Sequence, residues 1–180
     1  MGNADEDIAA GRMTALLTHF RQHPVTGITE RGPSSVGPQS PLNLRIVDHI
    51  TASVREVADQ VREVTPDAGP PPSRVEAVYA WYIENTRQAP EDVQRRRDTV
   101  VYRQSLEHAI AMGDTKVVRP HRCPACRTLG LMWESRLQLA VCTNGRCLTK
   151  TGLSRRWTLA RLAYEHVAGM YEKGVRDCAT

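Results

Sequence analysis

Four cysteines set in two short hooks constrain this chain more than any other feature. Cys123 and Cys126 have two residues between them, Cys142 and Cys147 have four, and fifteen residues separate the hooks. Hooks of this kind wrap four thiolates tetrahedrally around one Zn²⁺, because each turn aims both sulfurs at a common point and offers its backbone amides to them. Between the hooks Leu129, Leu131 and Trp133 alternate, and after Glu134, Ser135 and Arg136 so do Leu137, Leu139 and Val141. That pattern predicts two antiparallel strands that deliver the second hook beside the first. Lys116 to Arg119 is expected to add a third strand, giving a zinc ribbon over residues 114–153. Asn144 and Gly145 suit the longer second hook, since both tolerate positive φ. His121 is an alternative ligand in place of one cysteine. Four thiolates leave no position open for water, so the Zn²⁺ is expected to be structural, not catalytic.

The fifth cysteine, Cys178, is expected to be an unpaired thiol near the end of the chain. An odd cysteine count, with Asp5, Glu6 and Asp7 where an export signal would carry positive charge, argues against a disulfide framework and for a reducing cytoplasm. No apolar run approaches the ~18 residues that a membrane span needs, so no membrane partner is expected.

The rest of the chain reads as mainly α. Ile8, Met13, Leu16, Leu17 and Phe20 mark an amphipathic helix within residues 1–23, and 10 of the 18 residues from Pro24 to Pro41 are Pro, Gly or Ser, the composition of a linker. Ser40 and Pro41 suit a helix start, and Leu44, Val47, Ile50, Val54, Val57, Val61 and Val64 follow on one stripe. Gly69 to Pro72 end that helix. Ser73 is then expected to cap a second one with Val75, Val78, Tyr79, Tyr82 and Ile83 on its buried side. A third, from Glu91 to Met112, closes at Gly113. Residues 42–113 thus form a three-helix hairpin or bundle, and the fold class is α+β, mainly α. After the ribbon, Leu159, Leu162, Ala163, His166, Val167 and Met170 mark a C-terminal helix over 154–174, with a tail at 175–180. Trp157 and Arg161, four residues apart, suit a cation–π pair. Arg95, Arg96 and Arg97 lie about 100° apart around their helix and read as a solvated surface.

Charge is distributed unevenly. Residues 1–92 carry 8 basic and 13 acidic side chains, a net −5, whereas 93–180 carry 16 and 7, a net +9. Lys116 to Arg161 hold ten basic residues and one acid, Glu134. Arg122, Arg127, Arg136, Arg146, Lys150, Arg155 and Arg156 are the candidate nucleic-acid contacts, because a guanidinium fork suits phosphate and base edges. DNA is the favoured partner.

A helical start such as Ser40-Pro41-Leu42-Asn43-Leu44, the Cys123-Pro124-Ala125-Cys126 hook, the Cys142-Thr143-Asn144-Gly145-Arg146-Cys147 hook and a trailing Trp157 resemble uncharacterised zinc-ribbon proteins of actinobacteria and their phages. The likeness spans residues 41–173, and its specific part is the two hooks. Some relatives carry a helix-turn-helix module after the ribbon; here one amphipathic helix follows. The expected function is an accessory or regulatory protein that binds DNA through its ribbon. The alternative is a non-enzymatic adaptor whose helices bind a protein partner while zinc stiffens the ribbon. The chain has no Gly-rich phosphate loop, HExxH, GxSxG or zinc-deaminase arrangement, so no enzymatic activity is expected.

Overall fold

A computed structural model describes residues 44–177. The expected helix at 1–23, the linker at 24–41, the Ser40–Pro41 start and Cys178 lie outside the described residues. Helix α1 (Leu44–Val64) follows its apolar stripe and buries Ile46, Val57, Ala58 and Val61. Pro66 disfavours helical backbone at Thr65, and the Thr65 hydroxyl instead donates to the Asn85 carbonyl at 2.8 Å, tying the end of α1 to α2 (Val75–Thr86). The Ser73 cap does not form. Arg74 occupies the N-cap with extended backbone and no side-chain bond, because α2 starts one residue later than a Ser73 cap requires.

Helix α3 (Glu91–Ala111) begins directly after Pro90, with Glu91 and Asp92 in the first turn to complement its dipole. It ends as the sequence predicts. Gly113, at φ 89°, donates to the Ile110 carbonyl while Asp114 donates to Ala109, the paired bonds of a Schellman motif.

Two apolar cores meet on α3. On one side Val57, Val61, Val78, Tyr79 and Tyr82 pack together, with Val101 and Ala111 of α3 against them. On the other, Leu106 of α3 joins Leu131, Ala140, Leu159, Leu162 and three of the hook cysteines. A helix buried on two sides cannot show a single apolar stripe, and α3 accordingly buries Arg97, Gln104, Ser105 and His108 as well. Arg97 therefore departs from the expected solvated surface. Its guanidinium pairs with Asp98 at 2.7 Å, and Asp98 also accepts from the Tyr171 hydroxyl of the C-terminal helix at 2.7 Å. Arg96 does stay at the surface, paired with Glu63, whereas Arg95 is half-buried, paired with Glu91 and set over the Tyr171 ring at 5.2 Å from its centroid. Tyr79 donates to Gln104 at 2.6 Å, and Gln104 donates in turn to Glu56 at 2.9 Å, so the polar atoms of this core answer one another.

The third strand is not Lys116–Arg119. Thr115–Val118 instead forms a turn of 3-10 helix, capped by Asp114, whose carboxylate accepts from the Lys116 amide at 3.1 Å. The sheet runs β1 (Leu131–Glu134), β2 (Leu139–Cys142), β3 (Arg156–Trp157), all antiparallel. Its inner face also differs from the expected alternation. Leu131 faces Cys142 and Trp133 faces Ala140, so Ala140 and Cys142 point inward while Leu139 and Val141 lie on the outer face with Met132. Ala140 also pairs with Trp157, and a small residue is what fits between two indoles across the register. Helix α4 (Leu159–Asp177) lays Leu159, Leu162, Ala163 and Val167 against α3 and the sheet. Met170, expected on that face, is exposed.

Candidate metal centre and nucleic-acid interface

The first hook is a tight knuckle. Arg127 donates its amide to the Cys123 carbonyl and Cys123 donates to the Thr128 carbonyl, both at 2.9 Å. This closure places Arg127 in the left-handed region, at φ 59°. In the second hook neither Asn144 nor Gly145 has positive φ; Asn144 acts through its side chain, whose Oδ1 accepts from the Arg146 amide at 3.0 Å, while its carbonyl accepts from Cys147 at 2.8 Å. β3 then locks the hook, since Cys142 donates to the Arg155 carbonyl and Arg155 donates to that of Cys147. Gly130, at φ 108°, lies where a Cβ would come within 2.9 Å of the Thr143 hydroxyl, and that hydroxyl donates to the Gly130 carbonyl at 2.6 Å.

These turns bring Cys123, Cys126, Cys142 and Cys147 together, with all four sulfurs within 4.8 Å of one another. The Cys123–Cys147 and Cys126–Cys142 separations are 3.8 and 3.7 Å. A tetrahedron with Zn–S bonds of about 2.3 Å has edges of about 3.8 Å, so the set fits a tetrathiolate metal centre. Three of the sulfurs are buried and Cys126 is half-buried. Burial and the neighbouring thiols push Cys147 up to about 12 and raise Cys142 as well. The Thr128 hydroxyl, 3.0 Å from the Cys126 sulfur, leads the pull of that thiol down to about 6, with the Thr128 amide assisting. A bound divalent cation favours the thiolate at all four.

His121 is not among the ligands. It is buried, its Nε2 lies 3.0 Å from the Tyr102 hydroxyl and its Nδ1 lies 3.3 Å from the Val118 carbonyl. The Tyr102 ring stacks on His166 with centroids 4.0 Å apart, so this aromatic group ties the first hook to α3 and α4.

The seven candidate contacts Arg122, Arg127, Arg136, Arg146, Lys150, Arg155 and Arg156 are all exposed. Arg127 is ion-paired to Glu165 at 3.0 Å, and Arg161 holds the same carboxylate at 2.6 Å. Arg122 donates to the Arg127 carbonyl at 3.0 Å. Among the described residues Arg136, Arg146, Lys150, Arg155 and Arg156 have no acidic partner. Trp133 and Trp157 are half-buried against the ribbon core. Arg161 sits over the Tyr164 ring, 5.5 Å from its centroid, in place of the expected pairing with Trp157. Residue periodicity gave no sign of Thr128 or Glu165, although a hydroxyl two residues past a hook cysteine is a signal that could have found the first.

No helix among the described residues is long and apolar enough to cross a membrane. Comparison of the chain with protein-family models, with curated proteins and with solved structures returned no match.

Proposed function

We propose that this protein binds Zn²⁺ at the four cysteines and uses the stiffened ribbon to bind nucleic acid, DNA in preference, as an accessory or regulatory factor in a reducing compartment. One observation carries the reading: five exposed basic side chains on the ribbon face no acid among the described residues. A guanidinium left without a carboxylate keeps its charge and its donors for a phosphate. From Lys116 to Arg161 ten basic residues less one acid give +9, and a tetrathiolate zinc centre, at −2, leaves +7. An all-sulfur tetrahedral set favours zinc over harder cations, and its closed coordination suits a structural role.

The test is a salt titration of duplex DNA, single-stranded DNA and RNA against the zinc-loaded full chain. Affinity is expected to fall steeply with salt, and the double variant Arg155→Ala, Arg156→Ala is expected to reduce the log–log slope by about 2. An affinity that is insensitive to salt, or a slope unchanged in the variant, overturns the proposal. The adaptor reading has its own support in Leu129, Met132, Leu137, Leu148 and Leu153, large aliphatics exposed on the ribbon. It predicts a partner protein whose capture is lost in Met132→Ser and unaffected by the arginine variant.

A further inference from the structure

The ribbon sheet has a closed face and an open one. Leu131, Ala140 and Cys142 point inward, to the core that also holds Leu106 and Leu162. On the other face the register sets Met132 opposite Val141 and Val141 opposite Arg156, a row that crosses all three strands. Glu134 and Leu139 form the neighbouring row. Met132 is 54% exposed, and Glu134 and Arg156 are exposed too, so this face meets solvent. The first row is thus apolar over β1 and β2 and cationic at β3, about 10 Å, or two strand spacings, from one end to the other.

Cations gather on the β3 side of this face. Arg146 lies within the second hook, Lys150 in the turn after it and Arg155 directly before Arg156. The Leu148–Ser154 bridge and the backbone bonds from Cys142 to Arg155 and from Arg155 to Cys147 hold these segments beside β3. None of the four basic side chains faces an acid among the described residues. Glu134 stands on the opposite edge strand, β1, where its carboxylate accepts from the Arg136 amide at 3.2 Å. A polyanion is therefore favoured along β3 and disfavoured along β1.

Phosphates alone leave the rest of the face unused. In a duplex the apolar faces of the bases are stacked inside, and Met132, Leu139 and Val141 would meet only phosphates, sugars and groove edges. Unstacked bases offer those faces to an apolar platform while their phosphates run along a basic border. Aliphatic side chains give a 2′-hydroxyl neither donor nor acceptor, so burial here costs RNA a hydrogen-bonding group that DNA does not carry.

We propose that the outer face of the ribbon sheet binds single-stranded DNA, with unstacked bases on Met132, Leu139 and Val141 and the phosphates along Arg156 and the basic residues beside it. This inference rests on the nucleic-acid reading above and adds the strand form and the face. Contact through base faces makes recognition tolerant of sequence, since few side chains on the platform can read a base edge.

The zinc-loaded full chain is titrated with a labelled oligothymidylate of about 16 nucleotides, with its duplex and with an oligouridylate of the same length, followed by fluorescence anisotropy over a range of salt. Oligothymidylate is expected to bind about tenfold more tightly than the duplex at matched salt, and more tightly than oligouridylate. Met132→Ser is expected to weaken oligothymidylate binding about fivefold at every salt concentration, with the log–log slope and the duplex affinity unchanged. Arg156→Ala is expected to lower the single-strand slope by about 0.7, the share of one phosphate. Met170→Ser, at an exposed site on α4, is expected to change neither. All three side chains are exposed, so the thermal transition and the zinc content are expected to persist in each variant. Duplex bound as tightly as single strand, oligouridylate bound more tightly than oligothymidylate, or Met132→Ser without effect on oligothymidylate overturns the inference, while a steep salt dependence leaves the nucleic-acid reading standing. Salt-insensitive binding of every probe overturns that reading and this inference together. Capture of a partner protein that is lost in Met132→Ser, with oligothymidylate affinity unchanged, assigns the face to a protein and overturns the inference as well.

Discussion

In the helical layer six arginines, Arg62, Arg87, Arg95, Arg96, Arg97 and Arg103, each face a carboxylate, while Arg55 and Arg74 are exposed and face none among the described residues. In the ribbon Arg136, Arg146, Arg155 and Arg156 face none among the described residues. The apolar residues divide the same way. α1, α2 and α3 bury tyrosines and valines against one another, while the ribbon leaves five large aliphatics exposed and buries three cysteines in their place. The helical layer thus spends its side chains on its own cohesion. The ribbon gathers four cysteines at its centre and leaves its arginines and aliphatic side chains at the surface.

The sharpest break of this contrast is metal removal. Structural zinc contributes about 10–16 kcal/mol of apparent binding energy in small domains, so a chelator is expected to expose the backbone amides of 121–157 to hydrogen exchange while 44–111 stay protected. Simultaneous exposure of both regions would show one cooperative unit in place of two. Next in size are the core truncations. Leu106→Ala and Tyr82→Ala are each expected to cost about 2–5 kcal/mol in denaturant titrations, with only Leu106→Ala weakening metal retention, since Leu106 alone of the two packs beside the cysteines. Gly130→Ala, strained by its positive φ and by the Thr143 hydroxyl, is expected to cost about 1–2 kcal/mol, confined to the ribbon.

The smallest expected effect is a pH dependence of the helical layer. His49 is held below its ordinary value of 6.5, mainly by burial. The unfolded chain therefore binds the proton more readily, and His49 contributes stability that is present above that value and lost as pH falls through the depressed one. Thermal transitions of α1–α3 measured from neutral pH to about pH 5 are expected to slope less in His49→Gln than in the parent.

How much of this was legible in the residues follows from what each signal depends on. The hooks and the α1 stripe are local patterns, and both sit where the spacing puts them. Gly113 closes α3 for a reason internal to its own turn. The third strand was misplaced because Lys116–Arg119 and Arg156–Trp157 are both too short to be distinguished by periodicity, and partner choice is made by β2. The inner face of β2 was decided by Cys142: its sulfur points toward the other three, which forces Ala140 inward and Leu139 outward whatever their hydrophobicity. Burial of Arg97 depends on Asp98 and Tyr171, the latter 74 positions away, and no window on α3 contains that partner. The exposed charges of the ribbon were readable as composition. Their lack of carboxylate partners was not, because it depends on where Glu165 points.

Helix α3 gives one face to the valine and tyrosine core and the other to the cysteine-bearing core. A ribbon cut out at residue 114 would lose Leu106 and Tyr102, and with them the wall behind the first hook. The four-cysteine end is therefore not a transplantable module. A descendant of this protein that keeps the hooks must inherit α3 with them, and sequence change in α3 is constrained on behalf of two neighbours at once.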